Sequence, residues 1–112
     1  MNIKIKNLSS GVSNVIINEP KTYNSLSFQN LTDLIKIFKK LDRDKKTKVI
    51  IIEGSGRGFS AGHNLKEVKN LKVRNKYQKL FNLCSKFMLQ IVEGKKPVIA
   101  KVHGAAYAAG CQ

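Results

Sequence analysis

Acidic residues are scarce in this sequence, seven against 21 basic ones, which leaves a net charge of +14. Such an excess invites a polyanionic partner, because neutralised phosphates drive binding to nucleic acid and anionic membranes. Arginine is scarce as well: only Arg43, Arg57 and Arg74 occur. Bidentate reading of bases and phosphates favours arginine, so nucleic acid is not the expected partner. The lysines instead fall between apolar positions, as in "KKLDRDKKTK" and "KEVKNLKVRNKYQK", the pattern of a solvated helix face. An anionic small ligand stays open beside that reading.

Cysteine occurs twice, as Cys84 and Cys111, and neither belongs to a C-x-x-C or Cys/His pattern. A zinc site and a disulfide framework are therefore not expected, and the thiols read as reduced and cytoplasmic. No apolar run approaches the roughly 20 residues of a membrane span, so the chain reads as soluble. The opening "MNIKIKNLSSGV" alternates apolar and polar residues, and it lacks the apolar core of a signal peptide and the arginines of a transit peptide. Repeats and linkers are missing too, and 112 residues suit at most one small domain.

What remains is well patterned. "IKI" and "VSNVIIN" read as two strands joined at "SSG", and Pro20 ends the second because it cannot donate to a ladder. From Ser27, a candidate N-cap, Leu31, Leu34, Ile35, Phe38 and Leu41 mark one face of a helix ending near residues 42–45. "KVIIIEG" is an unbroken β-branched run, which predicts a parallel strand covered on both faces. It empties into the glycine-rich "GSGRGFSAGHN", followed by the weakly helical "LKEVKNL". Tyr77, Leu80, Phe81, Cys84, Phe87, Met88 and Ile91 mark a second amphipathic helix, stopped by Gly94 and Pro97. "PVIAKV" is a further strand, and the small-residue loop "HGAAYAAGCQ" could begin a helix at its end. The order β-β-α-β-α-β is an α/β arrangement, whose ligand sites lie at the carboxyl ends of strands.

The segment Gly58-Phe59-Ser60-Ala61-Gly62 fits the G-x-S-x-G pattern of a hydrolase nucleophile. Ser60 nevertheless stands about six residues past its strand, and few partners follow it. Beyond the adjacent His63, the candidates downstream are His103, Glu67 and Glu93, and the two glutamates suit solvated helical positions better than catalysis. A second reading uses the backbone. "FSAGHN" and "AAYAAGC" are both small-residue loops after buried strands, and their N–H groups could converge into an oxyanion hole. Small residues chosen only for tight packing explain the same letters equally well.

"NEPKTYNSL", "GRGFSAGHNLKEV" and "KPVIAKVHGAAYAAGCQ" resemble, in order and approximate spacing, three motifs of the enoyl-CoA hydratase/isomerase, or crotonase, family. The likeness runs from about Val15 to Gln112, the N-terminal part of the family domain. "FSAGHNLKE" and "AAGCQ" look most like the subgroup of enoyl-CoA hydratase domain-containing 3 proteins. The resemblance implies a crotonase-like spiral of stacked β-β-α turns, of which residues 1–112 form the N-terminal portion. It also implies trimers or hexamers in a complete protein, and acyl-CoA thioesters as ligands, with no cofactor and no metal, in fatty-acid or acyl-CoA metabolism. The backbone N–H groups of His63 and Ala109 fall at the family's oxyanion hole, while Ala61, Asn64, Leu65 and Lys66 fall along its substrate-binding segment. Ser60 then becomes a small loop residue whose hydroxyl bonds locally.

One departure affects the chemistry. Family hydratases use two glutamates, and the first would stand where this chain has Gln112. An amide can orient water but cannot exchange a proton at neutral pH. The second glutamate would lie beyond residue 112, as would the helices that make subunit contacts. The expectation is thus an acyl-CoA-binding piece that is catalytically incomplete by itself. The alternative from another class is a non-enzymatic basic fragment that binds an acidic partner or a complementary crotonase half.

Overall fold

A computed structural model describes residues 2–8, 10–63 and 74–112. Strands β1 (Ile3–Leu8) and β2 (Val12–Ile17) pair antiparallel, with Ile3 opposite Ile17. β2 then pairs in parallel with β3 (Val49–Gly54), and β3 in parallel with β4 (Val98–Lys101). The sheet order β1-β2-β3-β4 follows the chain.

Each parallel step needs a crossover, and two helices supply them. Helix α1 (Phe28–Arg43) joins β2 to β3 and opens on Ser27, whose Oγ accepts the Asn30 N–H at 3.1 Å. Helix α2 (Arg74–Glu93) precedes β4. Crossovers that step in one direction lay their helices on one face of the sheet. The core records this: Val15, Ile17, Ile50 and Ile52 from the strands join Leu31, Leu34, Phe38 and Leu41 of α1 and Leu80 and Phe87 of α2. The two helices meet through Phe38 and Phe87, edge to face with ring centroids 5.1 Å apart.

Three expectations need correction. β4, expected to be buried, is an edge strand, with Val98 half-buried and Ile99, Ala100 and Lys101 exposed. β3 is parallel and central, yet it is not covered on both faces: Ile50, Ile52 and Gly54 are buried while Val49, Ile51 and Glu53 are half-exposed. With both helices on one side, an unbroken β-branched run still has an inner and an outer face. Phe81, placed by spacing on the buried stripe of α2, is 46% exposed. It lies at the stripe's edge, beside the first loop. The weak helix read from "LKEVKNL" lies outside the described residues.

Among the described residues, no helix is long and apolar enough to cross a membrane. Cys84 and Cys111 are both free.

Candidate functional site

The carboxyl ends of the parallel strands β3 and β4 release two loops, residues 55–63 and 102–112, on the same edge of the sheet. The loops are laced together. Phe59 and Ser60 donate their N–H groups to Ala105 O at 2.9 and 3.3 Å, and Tyr107 N–H returns to Ser60 O at 3.0 Å. Ser60 and Ala106 thereby form a short parallel bridge that continues the pairing of β3 with β4 past its regular end.

Close approach depends on glycine here. A Cβ added to Gly110 would lie 2.5 Å from Ser60 O, a distance no methyl group tolerates. Gly62 has φ +84°, and a Cβ there would sit 3.0 Å from Tyr107 O and 3.3 Å from the Ala109 nitrogen. The first loop thus passes directly over the start of a 3₁₀ turn, Ala108–Gly110. Ala108 enters that turn in the left-handed region at φ 47°. The opening N–H groups of a helical turn have no carbonyl behind them to bond. Neither the Ala109 nor the His63 N–H donates to another described residue, whereas Gly110 N–H bonds Tyr107 O at 2.8 Å.

His63 and Ala109 both border an open groove of about 830 Å³. Its lining combines His63, Ala108, Ala109 and Gln112 from the loops with Phe81, Met88, Leu89 and Val92 along α2. The His63 ring stands edge-on to Phe81 with centroids 5.1 Å apart, and its Nδ1 lies 3.3 Å from Leu26 O. Cys84 contributes to the wall but is 6% exposed, and burial pushes its thiol above the usual range. The wall along α2 is therefore largely apolar, a surface suited to an apolar chain.

Of the residues singled out in sequence, His63, Ala109 and Gln112 meet at this groove, and the exposed Gln112 also borders an apolar cavity of about 350 Å³ beneath the sheet. Ala61 sits behind it, its N–H donated to Tyr23 O at 2.9 Å. Asn64, Leu65 and Lys66 lie outside the described residues. Ser60 is 2% exposed, donates its hydroxyl to Asn24 O at 2.8 Å and accepts the Gly62 N–H at 3.2 Å. A hydroxyl so buried and so occupied is no nucleophile, and G-x-S-x-G here describes a backbone fold. His103 is also committed, with Nε2 2.7 Å from Gly56 O. No group of three His, Cys, Asp or Glu side chains that could hold a metal occurs among the described residues. Sequence reasoning missed Asn24, wholly buried at the centre of the first loop's hydrogen bonds.

Residues 7–112 match the enoyl-CoA hydratase/isomerase family along almost the whole chain. This chain belongs to that family. It is 40% identical over 102 residues to the mitochondrial enoyl-CoA hydratase domain-containing protein 3 of Homo sapiens, an overlap covering 91% of this chain and 34% of the human protein. It is 33% identical to the mitochondrial enoyl-CoA hydratase of Pongo abelii, over 86% of this chain and 32% of that one. The crystal structure of the human domain-containing protein 3 superposes with a TM-score of 0.92 at 37% identity, covering 99% of this chain and 44% of the human one. An enoyl-CoA hydratase structure from Mycobacterium smegmatis gives 0.95 at 38% identity, over 99% and 43%. The fold is thus that of the crotonases, and the chain spans about a third of the length of the curated relatives it matches. Nothing in these likenesses favours the alternative of a basic fragment outside enzyme chemistry. The names of the Homo sapiens and Pongo abelii proteins place those two in mitochondria, and free thiols do not distinguish that compartment from the cytoplasm.

Proposed function

We propose that this chain is the N-terminal part of one crotonase-fold domain and binds acyl-CoA thioesters, with the carbonyl oxygen held by the N–H groups of His63 and Ala109. The observation that carries this reading is the close approach of the two loops, where a Cβ added to Gly62 would lie 3.3 Å from the Ala109 nitrogen, with His63 and Ala109 lining one groove. Two donors preorganised at low dielectric stabilise a developing oxyanion, and each is worth about 3 to 4 kcal/mol in the transition state. The acyl chain then follows the α2 wall past Phe81, Met88 and Leu89. Asn64, Leu65 and Lys66 are assigned to the coenzyme A side.

Gln112 occupies the position from which a hydratase would move a proton. Its amide can hold water at the groove but cannot serve as acid or base. The reading therefore separates binding and carbonyl polarisation, which these residues supply, from hydration, which needs carboxylates. Assembly as a trimer or hexamer belongs to the proposal for a protein carrying the remainder of the domain.

Isothermal titration with an acyl-CoA tests the backbone account. Ala109→Pro deletes one donor and is expected to abolish preferential binding of the acyl thioester over free coenzyme A. His63→Ala keeps its N–H and is expected to retain that preference. A His63→Ala defect as large as that of the proline variant overturns the assignment to the main chain.

A further inference from the structure

The first loop has no regular secondary structure, yet its proposed donor must point in one direction. Asn24 supplies the means. It is wholly buried and adopts φ 54°, a left-handed conformation that asparagine enters more readily than other non-glycine residues. Its carboxamide Nδ2 faces three carbonyls of the loop, Ser55 O at 2.8 Å, Gly58 O at 3.0 Å and Phe59 O at 3.2 Å, while Oδ1 accepts the Glu19 N–H at 2.9 Å. Those partners fix which end of the amide is nitrogen, since three acceptors cannot face an oxygen. Space for the amide comes from Gly54, where a Cβ would lie 2.6 Å from Nδ2.

The backbone around Asn24 holds the rest of the loop. Ala61 N–H donates to Tyr23 O at 2.9 Å, Ser60 Oγ to Asn24 O at 2.8 Å, and Leu26 N–H to Gly62 O at 2.7 Å. Asn24, Tyr23 and Leu26 thus bond to the successive loop residues Ser60, Ala61 and Gly62, the last of which carries the peptide link to the His63 N–H. Because the Gly62 carbonyl is tied to Leu26, the N–H of the same peptide plane must point the opposite way.

We propose that Asn24 is a positioning residue for the oxyanion site, its carboxamide gathering residues 55–59 and its carbonyl holding the Ser60 hydroxyl, so that the loop delivers Gly62 to the Leu26 N–H that sets the Gly62–His63 peptide. This rests on the functional reading above, since that reading names the donor being aimed. The hydrogen bonds of the Asn24 carboxamide go to Glu19, Ser55, Gly58 and Phe59, none of which lines the groove, so it acts through the loop.

The test replaces Asn24 by glycine, which keeps the left-handed backbone and removes the carboxamide. In the unliganded chain, the ¹⁵N–¹H resonances of residues 58–63 are expected to shift, with those of the α1 residues unchanged. Titration with an acyl-CoA and with the matching S-alkyl thioether, which lacks the carbonyl, is expected to show that the variant loses the thioester preference but still binds the thioether. A variant that keeps the His63 resonance and the full thioester preference overturns the proposal. Should Asn24→Gly fail to fold, Ser60→Ala removes only the hydroxyl linking Asn24 O to Gly62 N–H, and the same two readouts decide. If the unsubstituted chain itself shows no thioester preference, the functional reading fails, while the His63 resonance still reports whether Asn24 sets the loop.

Discussion

Gly110→Ala is the sharpest perturbation of the two-loop site. The added Cβ would stand 2.5 Å from Ser60 O and 2.8 Å from both Ser60 Cβ and Oγ. Carbon contacts settle near 3.5 Å, so one loop must retreat by roughly 1 Å. Rotation of a side chain cannot relieve this, because the nearest obstacle is a backbone carbonyl. Nor can Ser60 step aside freely, because its N–H bonds Ala105 O, its carbonyl takes the Tyr107 N–H and its hydroxyl bonds Asn24 O. Overpacking of this kind typically costs about 1 to 3 kcal/mol. Function should suffer more than stability does, since a misplacement of about 1 Å in a catalytic geometry can cost roughly 10²-fold. Urea denaturation gives the first quantity, and paired titrations with an acyl-CoA thioester and its thioether analogue give the second. Gly94→Ala is the control: its Cβ meets Gln90 O at 2.9 Å, a comparable clash at the far end of α2. It is expected to lose stability and keep the thioester preference. An unchanged urea midpoint and unchanged preference in Gly110→Ala would refute the close packing of the loops on which the site depends.

Ala108→Gly relieves a non-glycine residue at φ 47° and is expected to stabilise the chain by about 1 kcal/mol in thermal or urea unfolding; a loss of stability would mean that the methyl group packs usefully. Cys111 is exposed and Cys84 is buried with its thiol pushed up, so a thiol reagent should modify Cys111 at once and Cys84 only after denaturation, as mass spectrometry of the labelled peptides would report. Gln112→Glu, in a hybrid joined to the C-terminal part of a relative that supplies a second carboxylate, is expected to raise enoyl-CoA hydration, because a general acid or base contributes about 10² to 10⁴ in rate. Unchanged hydration with intact acyl-CoA binding would assign the groove to another reaction.

Local pattern was enough to read most of the scaffold. Ser27 caps α1 as its hydroxyl and the following apolar spacing suggest, and Gly94 with Pro97 separates α2 from β4. The limits of that reading are physical. "VIIIEG" carries no alternation, so only the placement of both helices on one face reveals that Ile51 looks outward and Ile52 inward. Phe81 obeys the helical period yet borders a groove, because a ring at the edge of a stripe can turn to His63 as readily as to the core. The small residues of the two loops were legible as close-packing positions, but the close approach of Gly110 to Ser60 and of Gly62 to Ala109 joins segments about fifty residues apart. Asn24 was the hardest to foresee. It sits in a quoted motif, but its three carbonyl partners lie 31 to 35 residues away, and no local rule connects them.

The central claim is that two backbone donors at the meeting of these loops polarise a thioester carbonyl. The infrared difference spectrum of an acyl-CoA carrying a ¹³C-labelled thioester carbonyl, recorded free and bound to this chain, measures that polarisation at the bond concerned. Hydrogen bonding from the His63 and Ala109 N–H groups weakens the C=O bond, so the bound carbonyl band should move to lower frequency, and Ala109→Pro should reverse most of that shift. A band at the same frequency free and bound, with binding confirmed in the same sample, would contradict the account.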